Sequence, residues 1–298
     1  MDNKIEGVNN GKKQFDFAIL VDSCCDVPRE YIEKYPLYVI PLRINYKDAS
    51  YRDRIDITPE EVCDRLHEEI PTTSLPQCSD IQEVFENIVK DGYNKIIAIS
   101  ISSNLSGTFN LVRLVSEDLR QRGIQVHQFD TKNIGIGSGM YAVSLFKQLD
   151  AGKSYEEAVQ QLESEYGNSK VFFCLETLEY LRKGGRIGRV SSLLGTALNI
   201  KPIITCGEDG TYIIAGKERG SKRCIDKAIA LAKEFAATGK RAEFAIVHSG
   251  HVPGLEKIKE KLEELIPNSV VNLRGQISPA LTVHVGPGLI GILAYVTK

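Results

Sequence analysis

Short apolar runs alternating with amphipathic, capped segments constrain this chain more than any other feature. In the first half the runs at residues 17–21, 38–44, 95–101 and 124–129 are separated by helical patterns. A strand with no polar face must be covered on both sides, and a parallel sheet flanked by helices does that. The intervening helices carry start signals. Thr58-Pro59-Glu60-Glu61 combines a hydroxyl cap, a proline at the first helical position and a glutamate three residues after the cap. The same spacing recurs at 79–82 and 154–157, and a further helix is predicted over 139–149, ending before Gly152.

Near residue 168 the rhythm changes. A strand at 170–175 and a short helix lead to a hairpin-like pair at 201–206 and 210–215. Helices follow at 222–237 and 254–266, the second with Leu255, Ile258, Leu262 and Leu265 on one face, and strands at 243–248, 270–273 and 289–296 complete the pattern. The expectation is an α/β protein of two domains. A three-layer α/β/α domain with a mostly parallel sheet spans 15–168, a two-layer α/β domain with a mixed sheet spans 169–298, and residues 1–14 form a disordered polar tail.

Several function classes lose support on composition. A formal net charge of −2 over 298 residues gives no basic field for nucleic acid. Neither a secretory signal nor a run of about 18 apolar residues occurs, so stable membrane insertion is not expected and a cytoplasmic location is. The seven cysteines form an odd set whose one close pair is Cys24 and Cys25, without zinc-ligand spacing. They read as reduced thiols, with Cys174 and Cys206 as small buried hydrophobes, and no metal site is expected.

The stretch Ile99-Ser-Ile-Ser-Ser-Asn-Leu-Ser-Gly-Thr-Phe-Asn110 carries a surplus of hydroxyls between a strand and a helix. Leu111, Leu114, Val115 and Leu119 mark one face of that helix. Ligands of open parallel sheets bind at the carboxyl ends of the strands, where helix N-termini favour anions. Ser102, Ser103, Ser106 and Thr108 could therefore hold a phosphate or a carboxylate. A purely local account competes, with Ser106 as cap and the other hydroxyls bonded to nearby backbone. Neither a Walker pattern nor a dinucleotide fingerprint is present, which weakens a nucleotide reading.

Three other segments stand out. Pro71-Thr-Thr-Ser-Leu-Pro76 precedes a helix, Leu178-Glu-Tyr-Leu-Arg-Lys-Gly-Gly-Arg-Ile-Gly188 sets Arg186 after paired glycines, and His284 precedes a Gly-Pro-Gly turn. A serine-dependent acyl hydrolase or acyltransferase, with Ser103 or Ser106 as nucleophile and His284 as base, is the alternative these residues leave open. The nucleophile-elbow glycines are absent from it.

Taken together with Asp22-Ser-Cys-Cys-Asp-Val-Pro28 and Asn199-Ile-Lys-Pro202, these motifs occur in the order of the DegV family, and the resemblance runs from about Phe17 to Val296. It implies a two-domain lipid-binding protein, not an enzyme, with no cofactor, that encloses a long-chain fatty acid between its domains. It also implies presentation of the carboxylate to a separate fatty acid kinase, and hence a place in phospholipid metabolism. Carried over by motif, Thr72 or Thr73 and Ser103, with Ser102, would contact the carboxylate, and Arg186 and His284 would surround it. Arg219, with its neighbours Lys222 and Arg223, matches a basic segment linked to kinase docking. Leu75 and Gln77 replace the usual glutamine and serine of the first loop, and Cys24-Cys25 replaces small polar residues. Helix residues after Gly139 and the segment 192–198, with Gly195, Thr196 and Ala197, are candidates for the acyl-chain lining.

Overall fold

The computed structural model describes residues 15–193, 199–266 and 270–298. The predicted tail at 1–14 and Gly195, Thr196 and Ala197 lie outside these residues. In chain order the elements begin with β1 (Ala18–Asp22), α1 (Arg29–Ile32), β2 (Leu37–Ile40), β3 (Arg43–Asn45), β4 (Ser50–Arg52), α2 (Pro59–Arg65), β5 (Thr72–Ser74), α3 (Cys78–Lys90) and β6 (Lys95–Ser100). There follow α4 (Thr108–Gln121), β7 (Gln125–Asp130), α5 (Ile136–Asp150), α6 (Tyr155–Ser164), β8 (Ser169–Cys174), α7 (Glu179–Lys183), β9 (Ile200–Cys206) and β10 (Tyr212–Arg219). The chain closes with α8 (Ser221–Ala236), β11 (Arg241–His248), α9 (Leu255–Leu265), β12 (Val270–Gln276), α10 (Pro279–Val285) and β13 (Ile290–Thr297). No described helix is long and apolar enough to cross a membrane.

The first sheet has the order β2-β1-β6-β7 and is parallel throughout. Its faces alternate as the pleat requires. Ala18, Leu20, Ile96 and Ala98 pack with Ile81, Phe85 and Ile88 of α3 and Val112 and Leu119 of α4. Ile19, Val21, Ile97 and Ile99 point the other way, into the cluster that contains α5. The second sheet, β10-β9-β8-β13-β11-β12, mixes parallel and antiparallel pairs. One face, including Phe172, Phe244 and Ile292, packs with α8 and α9. The other, including Val171, Phe173, Ala245 and Leu293, joins the α5 cluster. The α/β expectation holds in both halves.

Helix α5 is consequently the middle layer of the molecule. Twelve of its 15 residues are buried, as suits a helix apolar on nearly all sides and pressed between two sheets. Its small N-terminal residues permit close approach. A Cβ built on Gly139 would lie 2.3 Å from the Cys25 carbonyl oxygen.

Several local expectations need correction. The run at 38–44 is not one strand: β2 ends at Ile40, and after Pro41 the chain enters a separate antiparallel sheet of order β4-β3-β5. The 71–76 loop supplies the edge strand β5 of that sheet, because Thr72–Ser74 finds backbone partners on β3. Helix α3 begins at Cys78 and is capped from Gln77, whose N–H donates to Asp80 Oδ2 at 3.4 Å, so Ser79 lies inside the helix. Thr58 and Ser154 do cap α2 and α6 in reciprocal capping boxes. Leu114, assigned to the inner face of α4, is 60% exposed, because Thr108, Val112, Ser116 and Leu119 form the buried stripe.

Gly139→Ala should test the middle layer. The added methyl cannot be placed without moving backbone, so stability should fall by about 1–3 kcal/mol. A thermal midpoint equal to the parent's would show that α5 does not approach Cys25 this closely.

Candidate functional site

Where the first turn of α5 meets the second sheet, a small apolar cavity of about 30 Å³ remains. Phe173, Tyr212 and Val247 form the sheet side of this cavity, Ile136 the α5 side, and Leu281 and Val285 the α10 side. The lining thus comes from the start of α5, not from the residues after Gly139. Residues 281 and 285 are one helical turn apart and share a face, so α10 presents a continuous apolar wall.

The same helix carries His284. Its Nε2 lies 2.7 Å from Thr73 Oγ1 on β5, while Nδ1 is sealed from solvent with no hydrogen-bond partner. The pleat of β5 decides between the two threonines. Thr73, opposite Ile44, turns inward, and Thr72, opposite Asn45, is exposed and faces away from this group. Gly184 is the wall beside Nδ1, since a Cβ there would lie 2.1 Å from that nitrogen. This explains one of the paired glycines, and Gly185 supplies the left-handed turn after α7 at φ +71°.

Arg186 completes the polar end. Its Nη1 donates to the Gly184 carbonyl at 2.8 Å and its Nε to the Leu105 carbonyl at 3.4 Å, so it bridges the turn after α7 and the serine-rich turn after β6. Burial, and then the Arg186 charge, hold the His284 imidazole at about 4, so the ring is neutral near pH 7. Burial raises the Tyr212 phenol, which lines the cavity, well above its ordinary range, with the Arg186 charge opposing. A buried orphan N–H is rarer than an unsatisfied acceptor. The tautomer that leaves Nδ1 as a bare lone pair therefore has Nε2–H donating to Thr73 Oγ1. The Thr73 hydroxyl proton is then free to donate elsewhere, and an anionic oxygen is the natural acceptor.

The serine-rich turn divides into two roles. Ser102 is fully buried and its hydroxyl accepts from Asn104 N–H at 3.2 Å, under the β9–β10 turn where a Cβ on Gly210 would lie 2.1 Å from it. That is the local backbone role. Ser103 is half-buried; its N–H donates to Asp130 Oδ1 at 3.2 Å and its hydroxyl accepts from Lys132 Nζ at 3.0 Å. Lys132, itself paired with Asp130 at 2.6 Å, was not among the residues picked from the sequence. Its position after β7, at the same sheet edge as the serine turn, was the available signal. Ser106 pairs with Thr108 at 2.8 Å. His284 therefore engages a threonine, and neither Ser103 nor Ser106 makes the hydrogen bond to it that a serine hydrolase needs.

Cys24 and Cys25 are buried in a short 3-10 turn after β1, where burial raises both thiols well above their ordinary range. Such thiols are inert. Leu75 packs against Gly107 at the start of α4, joining the first loop to the serine turn. Arg219 ends β10, Lys222 and Arg223 open α8, and all three are exposed without an ion pair among the described residues.

The α/β architecture thus places a small apolar cavity on one side of α10, and the same helix carries a neutral imidazole to a threonine hydroxyl. A family model described as "Uncharacterised protein, DegV family" matches residues 16–297, and the chain belongs to that family. It is 39% identical over 279 residues to a DegV domain-containing protein of Clostridium acetobutylicum, covering 93% of this chain and 98% of the relative. Among solved structures it is similar to a fatty-acid-binding DegV family protein from Thermus thermophilus, with a TM-score of 0.84 and 29% identity over 95% of this chain and all (100%) of the other. It is also similar to DegV, a fatty acid binding protein from Bacillus subtilis, with a TM-score of 0.84 and 26% identity at coverages of 95% and 100%.

The neutral imidazole makes a pH prediction. Below about 6.5 an unfolded chain protonates this histidine, whereas the folded ring stays neutral down to about 4. The residue thus erodes stability as pH falls through that window, by at most on the order of 3 kcal/mol. Replacing His284→Gln should flatten the acid side of the melting-temperature profile relative to the parent. Parallel profiles between pH 6.5 and 4 would place the ring in solvent.

Proposed function

We propose that this protein binds a long-chain fatty acid between a domain of residues 15–168 and one of residues 169–298, and presents its carboxylate to a separate fatty acid kinase. The observation that carries this reading is that one helix, α10, lines the apolar cavity with Leu281 and Val285 and also carries His284 to Thr73. The description of the Thermus thermophilus and Bacillus subtilis proteins as fatty acid binding supports it.

The energetics are adequate. Each buried methylene contributes roughly 0.8 kcal/mol, so a chain of about fourteen supplies on the order of 11 kcal/mol before association and ordering costs. The carboxylate cannot be left unpaired in such a cavity. Thr73, primed by His284, donates one hydrogen bond, Arg186 supplies compensating charge, and Ser103, whose hydroxyl Lys132 Nζ contacts at 3.0 Å, offers a second donor across the sheet edge. Hydroxyl donors hold the head without enclosing it in a tight lysine pair, which leaves an oxygen available to accept a phosphoryl group from the kinase. The exposed Arg219, Lys222 and Arg223 form the surface on which that kinase docks.

Protein purified from a bacterial host should show, in native mass spectrometry, an excess mass matching an acyl chain of about sixteen to eighteen carbons. Absence of that mass together with no binding of added palmitate or oleate would sink the reading. In binding assays Thr73→Val, which keeps the shape and removes the donor, should weaken palmitate about 5- to 10-fold, the equivalent of one hydrogen bond to a charged group. Arg219→Ala should bind palmitate like the parent while its bound acid is phosphorylated several-fold more slowly by the kinase. Equal rates would remove the docking role.

A further inference from the structure

Helix α10 is anchored by residues that neither the cavity nor its polar end uses. Asp26 follows the turn after β1, and Asp53 lies between β4 and α2; both are buried. Asp26 Oδ1 accepts from the Ser278 N–H at 2.9 Å, and Asp53 Oδ1 accepts from the Ala280 N–H at 3.3 Å. Ser278 Oγ accepts from the Leu281 N–H at 3.3 Å and completes the first turn. Pro279 needs no acceptor, since it has no N–H. Residues 279–283 are buried, so water cannot satisfy these amides, and the two carboxylates and the Ser278 hydroxyl are their acceptors.

The carboxylates are themselves held in place. Arg54 Nη2 donates to Asp26 Oδ1 at 2.6 Å, while the Ser23 hydroxyl donates to Asp53 Oδ2 at 2.6 Å and accepts from the Leu42 N–H at 3.1 Å. Asp26 and Arg54 sit at φ +50° and +62°, in the left-handed region that non-glycine residues occupy only where the surroundings over-determine them. At the other end of the seven-residue helix is His284, joined to Thr73. A helix this short moves as a unit, so whatever fixes its first turn also fixes the imidazole.

We infer that Asp53, supported by Ser23 and with Asp26 beside it, is a positioning residue that sets His284 against Thr73 through the first turn of α10. Its effect on ligand affinity rests on the fatty-acid reading above; its effect on His284 does not. Losing the Asp53 acceptor leaves the Ala280 amide buried and unpaired, which is relieved by shifting α10 toward solvent. The ring then loses its shelter and the threonine its partner.

The experiment compares Asp53→Ala, Asp53→Asn and Ser23→Ala with the parent by histidine-ring NMR and palmitate binding. The five histidines allow the His284 signal to be assigned by its disappearance in His284→Gln. Asp53→Ala should move the His284 titration upward toward the ordinary histidine range and weaken palmitate about 10-fold. Asp53→Asn keeps an amide oxygen for Ala280 and should restore the parent's titration and bring affinity within about 3-fold. Should Asp53→Ala not fold, Ser23→Ala, which only loosens the carboxylate, should show a smaller shift in the same direction. A His284 titration unchanged in Asp53→Ala, or in Ser23→Ala where the former does not fold, would overturn the positioning role. A shifted titration with no palmitate binding even in the parent would leave positioning standing and defeat the ligand assignment.

Discussion

The burial of α5 between two sheets is the constraint on which the rest of the structure depends. A helix apolar on nearly every side has no stable place on a surface, and here it fills the middle of a five-layer stack. Its glycine-rich start comes close enough to the turn after β1 to touch backbone. Those small residues leave room beside them, and the cavity opens there, toward Phe173 and Val247 of the second sheet. The cavity is therefore a by-product of how tightly the two halves can close on one helix.

Polar groups around that cavity are arranged by the same closure. Helix α10 lies in the sequence of the second sheet but packs against α2, β3 and β5 from the first half. It brings His284 to Thr73, and it needs the carboxylates of Asp26 and Asp53 for its own first turn. Burial without full compensation shows in the carboxyls. Asp53 is pushed up to about 6, and Asp22, which accepts from the Ile101 and Cys24 amides, is pushed up to about 7. Both shifts are led by desolvation, the cost of placing acidic groups where buried amides require acceptors.

Much of the fold was legible because burial on both faces forces a continuous apolar run. Strands β1, β6, β8 and β13 match such runs closely, and the Thr58 and Ser154 caps announce themselves by spacing alone. The misreadings share one cause, competition from partners distant in sequence. The 38–44 run divides because its second part pairs with β4 and β5 instead of continuing beside β1. Leu114 is on a face that α3 and the sheet leave uncovered. Helix α10, rich in β-branched residues, is helical because its surroundings supply acceptors for its amides. Lys132 went unnoticed because the serine it touches, Ser103, is distant from it in sequence.

The chain's own order of apolar runs, caps and glycines determined the α/β class, the parallel first sheet and the set of loops that reach its carboxyl edge. Those are local or periodic properties, written in residue types a few positions apart. Tertiary structure decided where each hydroxyl of a pair points. Thr73 is turned to His284 and Thr72 to solvent because neighbours in a strand point to opposite sides, while Ser102 is covered by the β9–β10 turn and Ser103 meets Lys132 through contacts distant in sequence.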